Sequence, residues 1–389
     1  MQAPRDARLD ALARLCVESL GAAPCAVVGA RAAGRAALGA CGHAGAHPAT
    51  LETVFDLASI TKSIVALAAA RLVRVGAVRW STPLAELVPE ASASPVARTP
   101  LELLFAHRAG LEAHRLLAES ASPAEPPARA ALLALAASIL RPACVGLAAG
   151  AEGHPPVYSD LGYLLAGEAL ARASGRPLAA LVEREINAPL GTRFESARAL
   201  LTRPSAPLLA PTEVVPARGG ALLGVVHDEN AWAYGGLDVC GHAGLFGTAA
   251  DLLALGATML EALAGQRPEW LTPRELDVLL RPRPGGSLRA GFDGRSGPSP
   301  SSGARFGPNT FGHLGFTGTS LWLDPDASLV GVLLTNRVHP TRDAPQGIRA
   351  ARPLVYDGIA AWAADTPPAR LTAWAADTPP SRRPKPFIR

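Results

Sequence analysis

Lysine is almost missing from this chain. Of its 37 Lys and Arg residues, only Lys62 and Lys385 are lysines. Arginine replaces lysine well on a solvated surface, but a guanidinium cannot give up its proton. A position that keeps lysine under such pressure is a candidate for a deprotonatable amine. Lys385 lies in a Pro- and Arg-rich tail, whereas Lys62 sits inside the apolar segment ITKSIVALAAARLV. Chance survival is the plain alternative.

Other absences narrow the field. The five cysteines, Cys16, Cys25, Cys41, Cys144 and Cys240, are widely spaced and form no C-x-x-C. Neither a zinc site nor a disulfide framework is indicated, and no metal or cofactor is expected. No apolar run is long enough to cross a bilayer, so membrane insertion is not expected. The charged N-terminal stretch reads as an amphipathic helix with Leu9, Leu12, Cys16 and Leu20 on one face. It lacks an export signal's apolar region, and a cytoplasmic location is the expectation. The net charge is +4 and basic residues are scattered, so nucleic acid is an unexpected partner. With 389 residues, 49% of them apolar, the chain can bury a large core. Nothing in it speaks to oligomeric state.

Periodicity and turn residues outline an α/β protein. CAVVGARAAGRAALGA predicts a β-hairpin turning near Ala33-Gly34. A largely buried helix should start near Ser59 and stop at Gly76. DLGYLLAGEALARASG predicts a helix with Asp160 as a possible N-cap, and another helix should begin near Thr248. Residues 284–309 form a long loop, 311–338 read as strand, turn at Asp324-Pro325-Asp326, strand, and a final helix follows. The expected organisation is an α/β domain from 1–78 and 285–366, with an antiparallel sheet flanked by helices. An all-helical domain, 79–284, is inserted. Residues 367–389 form a tail, in which AWAADTPPAR (361–370) recurs as AWAADTPPSR (373–382).

The motif that carries chemistry is Ser59-Ile60-Thr61-Lys62 at a helix start. Three residues apart on a helix, both side chains face the same way. A serine hydroxyl needs a base, and a desolvated lysine can be one. The helix N-terminus supplies N–H groups where an oxyanion would form. Alone, S-x-x-K is a weak signal. Tyr158-Ser159-Asp160 before a later helix, then His313-Leu314-Gly315 near the end, strengthen it by their order.

These three elements, with LLFAHRAGL, VYSDLGYLLAGEAL, GHAGLFGTAADL and FGHLGFTGTSLWLDP, make residues 24–360 resemble the β-lactamase-related serine hydrolases. Within that group the variation of the second and third elements resembles class C β-lactamases and penicillin-binding-protein-like carboxylesterases. The resemblance implies the β-lactamase/transpeptidase-like fold and acyl transfer to water through Ser59. Lys62 would handle the serine proton, and Tyr158 would be the phenolic base and acid. His313 would touch substrate or Tyr158. The backbone N–H groups of Ser59 and Phe316 would form the oxyanion hole. Asp160, His313, Gly315, Phe316, Thr317 and Arg342 are the substrate-contact candidates. Small esters, amides or D-peptides are the implied substrates, with β-lactamase or D-alanyl carboxypeptidase activity as one alternative. A catalytically silent binding protein on the same fold is another.

Two departures stand out. Asp160 occupies the usual Asn position. A carboxylate cannot donate to a substrate carbonyl, and beside Lys62 it would favour the ammonium and make Tyr158 the better base. Alternatively, Asp160 only caps its helix. His313-Leu314 replaces Lys-Thr, removing a permanent charge and a hydroxyl suited to a carboxylate, which favours uncharged esters or amides. His107 and His242 read as structural turn residues. His227-Asp228-Glu229-Asn230 reads as a loop rim rather than a metal site, because adjacent side chains diverge. Arg337 and Arg342 follow the last strand and could fork a carboxylate, with ordinary surface roles as the alternative.

Overall fold

The computed structural model describes residues 3–117, 128–343 and 346–365. From residue 366 onward the duplicated tail lies outside the described residues.

A seven-stranded antiparallel sheet organises the chain. Its strands are β1 (Cys25–Ala32), β2 (Arg35–Ala44), β3 (His47–Pro48), β4 (Asp293–Gly294), β5 (Phe311–Leu314), β6 (Ser320–Asp324) and β7 (Leu329–Thr335). Their spatial order is β3-β2-β1-β7-β6-β5-β4, so the two ends of the chain meet at the β1–β7 pair. The expected hairpin turns at Ala33 and Gly34, both at positive φ (48° and 79°), which suits a two-residue turn between twisted strands.

Both sheet faces are covered, and the period-2 alternation of side chains sorts them. Ala26, Val28, Ala30, Leu329 and Leu333 face one core with Leu9, Val355, Tyr356 and Trp362. Val27, Val330, Val332 and Leu334 face the other, with Leu252 and Leu253. On the first side lie α1 (Ala7–Arg14), continued by one wider turn at Leu15–Ser19, and the terminal helix Gln346–Ala364. Trp362 Nε1 donates to Asp6 Oδ2 at 3.0 Å and ties those two helices together.

On the second side lie α2 (Ile60–Arg74) and the helix Ala249–Leu263. The latter starts at a Thr248/Asp251 capping box. Although it falls within the 79–284 stretch, it packs directly on the sheet. At Gly256 an added Cβ would lie 2.5 Å from Val330 Cγ1, so only glycine permits that approach.

The helical lobe contains α3 (Asp160–Ser174), which α2 contacts. The N-cap of α3 is Ser159, whose Oγ accepts from Gly162 N at 3.2 Å. Asp160 is therefore the first helical residue and not the cap, which leaves its carboxylate free to point elsewhere. Of the strand, turn, strand expected over 311–338, the first strand is broken: a turn at Gly315–Thr319 separates β5 from β6. Among the described residues, no helix is long and apolar enough to cross a membrane.

Candidate active site

The nucleophile candidate is presented by a strained turn. Phe55–Asp56 pairs with Leu245–Gly247, and the chain then reverses into α2. Ala58 adopts φ 47°, a left-handed conformation that is unfavourable for a residue with a Cβ. Asp56 holds it there: one carboxylate oxygen accepts from Ala58 N at 2.8 Å, the other from His227 N at 2.9 Å. Ser59 follows at the N-terminus of α2, and its side chain makes no cap bond. The hydroxyl is thus available to the cleft.

Lys62, one turn on, is completely enclosed. Its ammonium donates to Ser59 Oγ at 3.0 Å, Asp160 Oδ1 at 2.6 Å and His242 O at 3.1 Å. Those three acceptors match the three N–H donors of an ammonium. Burial alone would favour the neutral amine, but the Asp160 carboxylate and Tyr158 outweigh it and hold Lys62 above its ordinary pKa. Burial likewise opposes the charge on Asp160, and Lys62 reverses the balance, keeping its carboxyl well below the usual range.

Tyr158 completes the group. Its hydroxyl faces Lys62 and Ser59, and its ring lies 4.8 Å from Lys62 Nζ. Burial raises its pKa, and Lys62 pulls the other way without prevailing. His107 stacks on the ring at 4.7 Å between centroids, while its Nδ1 accepts from Ser159 N at 2.9 Å. Burial first, and then Lys62, keep His107 neutral. It therefore does more than stiffen its turn.

The remaining candidates separate by geometry. His313 lines the cleft with its ring 5.9 Å from that of Tyr158. Burial and Lys62 pull it down to about 3, so it is neutral at ordinary pH. Its Nδ1–H then donates to Leu314 O at 2.8 Å. Among the described residues, the Ser59 and Phe316 amides make no backbone hydrogen bond. By contrast, Gly315 N is spent on Thr319 O at 2.8 Å. A Cβ on Gly315 would lie 1.9 Å from Thr319 Oγ1, which explains the glycine. Thr317 is turned inward, donating to Asp56 O at 2.8 Å, and is not available to a substrate. Arg342 lines the cleft but is committed to Glu213 (2.5 Å) and Glu229 (2.6 Å). Its place as a substrate contact is weakened by those two carboxylates.

The polar run at 227–230 disperses as adjacent residues should. His227 binds Glu213, Asp228 binds His242, Glu229 binds Arg342, and Asn230 binds the 115–117 backbone. The His242 ring bonds Asp228, not loop backbone, and is raised to about 10 despite burial by that carboxylate. Among the residues that the sequence does not single out are Arg349 and Arg352, which line the cleft, and His114, whose Nδ1 lies 3.2 Å from Asp160 Oδ2. The ligand atoms of His114, Asp160 and Asp228 lie within 4.8 Å of one another. Each carboxylate is already paired with a cation, Lys62 or His242, which weakens any pull on a metal ion.

All of this opens into a cleft of about 940 Å³ between the sheet and the helical lobe. The antiparallel sheet with helices on both faces, and a helix starting at Ser59 on the cleft floor, define the β-lactamase/transpeptidase-like fold. A family profile described as Beta-lactamase matches residues 9–356, and the chain belongs to that family. A relative from Salmonella newport (strain SL254), named "Putative D-alanyl-D-alanine carboxypeptidase", is 31% identical over 202 residues. That match spans 48% of this chain and 46% of the relative, so the chain aligns with about half the length of such curated relatives. A class C β-lactamase from Rhodobacter sphaeroides superposes with a TM-score of 0.63 at 19% identity, covering 90% of this chain and 99% of the other. A D-amino acid amidase from Ochrobactrum anthropi SV3 gives 0.64 at 20% identity, covering 90% and 97%.

Proposed function

We propose that the protein is a serine hydrolase working through an acyl-enzyme on Ser59, acting on small carboxylic esters or amides. The observation that carries the reading is the Lys62 ammonium 3.0 Å from Ser59 Oγ, with the Tyr158 hydroxyl facing both. The Asp160 ion pair keeps Lys62 protonated, so the proton acceptor is Tyr158 in its phenolate form. Lys62 supplies the positive field that brings phenolate and serine alkoxide within reach. Ser59 Oγ bonds to the substrate carbonyl carbon as its proton passes to Tyr158. Negative charge gathers on the carbonyl oxygen, against the Ser59 and Phe316 amides. Tyr158 then protonates the leaving group as its bond breaks, and water reverses the sequence to release the acid.

The neutral His313 leaves the motif without a fixed charge for a substrate carboxylate. This favours uncharged esters and amides. A second reading, a β-lactam or a D-alanyl peptide with a free carboxylate, draws on Arg337 and Arg349. Both line the cleft, and neither has an ion-pair partner among the described residues. Comparing turnover of p-nitrophenyl butyrate with that of nitrocefin tests which applies.

A further inference from the structure

The turn that carries the Phe316 amide is gripped by cations. Arg352, on the terminal helix, donates through Nη2 to Gly315 O and to Thr319 O, both at 3.0 Å. Arg337 Nε donates to Phe316 O at 2.8 Å, and its backbone amide donates to Thr317 O at 3.0 Å. On the opposite side, Thr319 Oγ1 donates to Leu57 O at 3.1 Å, joining this turn to the one that presents Ser59.

The Gly315 carbonyl and the Phe316 N–H belong to the same peptide unit. A cation on that carbonyl oxygen draws electron density through the amide and makes the N–H a stronger donor, as hydrogen bonds in a chain polarise one another. A charged donor does this more strongly than a neutral one. Among the described residues no carboxylate forms an ion pair with Arg352; burial is the largest influence and lowers its guanidinium to about 10, which leaves it charged at neutral pH, with Tyr356, Arg337 and Cys16 contributing less. Its positive field is therefore not cancelled locally, and the side chain itself borders the cleft.

We propose that Arg352 is a positioning residue for the acylation step, fixing and polarising the Gly315–Phe316 peptide so that the Phe316 N–H meets the charge developing on the substrate carbonyl oxygen. The proposal rests on the reading of Ser59 as nucleophile and Phe316 as oxyanion donor. In that step the Ser59 Oγ–carbon bond forms, the carbonyl π pair moves onto oxygen, and the serine proton goes to Tyr158. Arg352 gains and loses no atoms. The same amide faces the oxyanion formed in acylation and again in deacylation, and the oxyanion exists only beyond the ground state, so slowing both steps alike lowers kcat and leaves KM little changed. Losing a whole oxyanion donor costs roughly 10²–10³ in kcat, and weakening one through its peptide should cost roughly tenfold.

The test compares Arg352→Gln and Arg352→Lys with the unaltered protein, using p-nitrophenyl butyrate turnover and the affinity of phenylboronic acid, whose serine adduct bears the same negative charge. Thermal unfolding checks that each variant is folded. Arg352→Gln keeps a donor but loses the charge. It should lower kcat about tenfold and boronate affinity in parallel, with KM within twofold. Arg352→Lys keeps the charge but reaches only one carbonyl, and should lose roughly threefold in both. Should the Gln variant not fold, unchanged kcat and boronate affinity in Arg352→Lys overturn the proposal. Unchanged values in a folded Gln variant overturn it too, as does a kcat loss with boronate affinity intact. Fluorophosphonate labelling of the unaltered protein is run alongside. Absence of label on Ser59 means that the underlying reading has failed, whereas labelled Ser59 with indifferent Arg352 variants means that only this proposal has.

Discussion

Lys62 Nζ and Asp160 Oδ1 lie 2.6 Å apart, with the lysine side chain wholly enclosed and the aspartate 15% exposed. In the mechanism proposed above, this pair decides which group acts as the base. It raises the pKa of Lys62, and the Asp160 charge also raises that of Tyr158.

Replacing Asp160 by Asn removes a negative charge from beside both groups, so both pKa values should fall. Activity that depends on a Tyr158 phenolate should then reach its plateau at lower pH. Measuring kcat/KM against pH for Asp160→Asn checks this, and an unmoved profile contradicts it.

The same pair sets a stability window. Lys62 is raised in the folded state, so its contribution is present below the unfolded lysine pKa and lost as pH rises through the folded one. Asp160 is lowered, so its contribution is present above the unfolded aspartate pKa and lost as pH falls through the folded one. The stabilisation should hold from about pH 4 to pH 10. Breaking a buried pair costs about 3–5 kcal/mol, and Asn keeps an acceptor, so Asp160→Asn should fall at or below the lower figure. Denaturant unfolding at neutral pH measures it.

If the phenol carries the proton as proposed, Tyr158→Phe should lower kcat roughly 10²–10⁴-fold and abolish the alkaline rise. His107 stacking should keep the ring in place, so KM for p-nitrophenyl butyrate should change little. A variant that retains both rate and pH profile would exclude Tyr158 from proton transfer.

Lys62→Arg should lose nearly as much as Ser59→Ala. The three acceptors around Lys62 suit the compact ammonium and not a planar fork, and the side chain has no room to expand. Kinetics on the folded variant, verified by thermal melting, decide this.

Hydrolysis of p-nitrophenyl butyrate should exceed that of nitrocefin in kcat/KM. If nitrocefin is preferred, Arg349→Ala should reduce the preference by removing a cleft cation that could read its carboxylate; Arg337 also holds the Phe316 carbonyl, so its replacement would slow both substrates.

Local chemistry made part of this site legible in the sequence. Ser59 and Lys62 share a helix face by spacing alone, and the near-absence of other lysines singled Lys62 out. Tyr158 and His313 were recognisable only through motif order. Asp160 was ambiguous because Ser159, an equally good cap, stands beside it and takes that role. The Gly315–Thr319 turn lay inside a run that reads as strand; it is closed locally, by Gly318 at φ 102° and the Gly318 N to Gly315 O bond, and Arg352 and Arg337 then hold its carbonyls from a distance. His114 gave no periodic signal, since its partner Asp160 lies 46 residues away. The helix Ala249–Leu263 shows the same limit: its cap was readable, but its seat on the sheet depends on Gly256 meeting Val330 across the fold.

Everything proposed for this cleft depends on Ser59 forming a covalent acyl-enzyme. Intact-mass analysis after a fluorophosphonate probe, with peptide mapping, tests it most directly. One adduct on the peptide containing Ser59, absent from a folded Ser59→Ala variant that no longer turns over activated esters, is the predicted result. An adduct elsewhere, or undiminished turnover in Ser59→Ala, would contradict it.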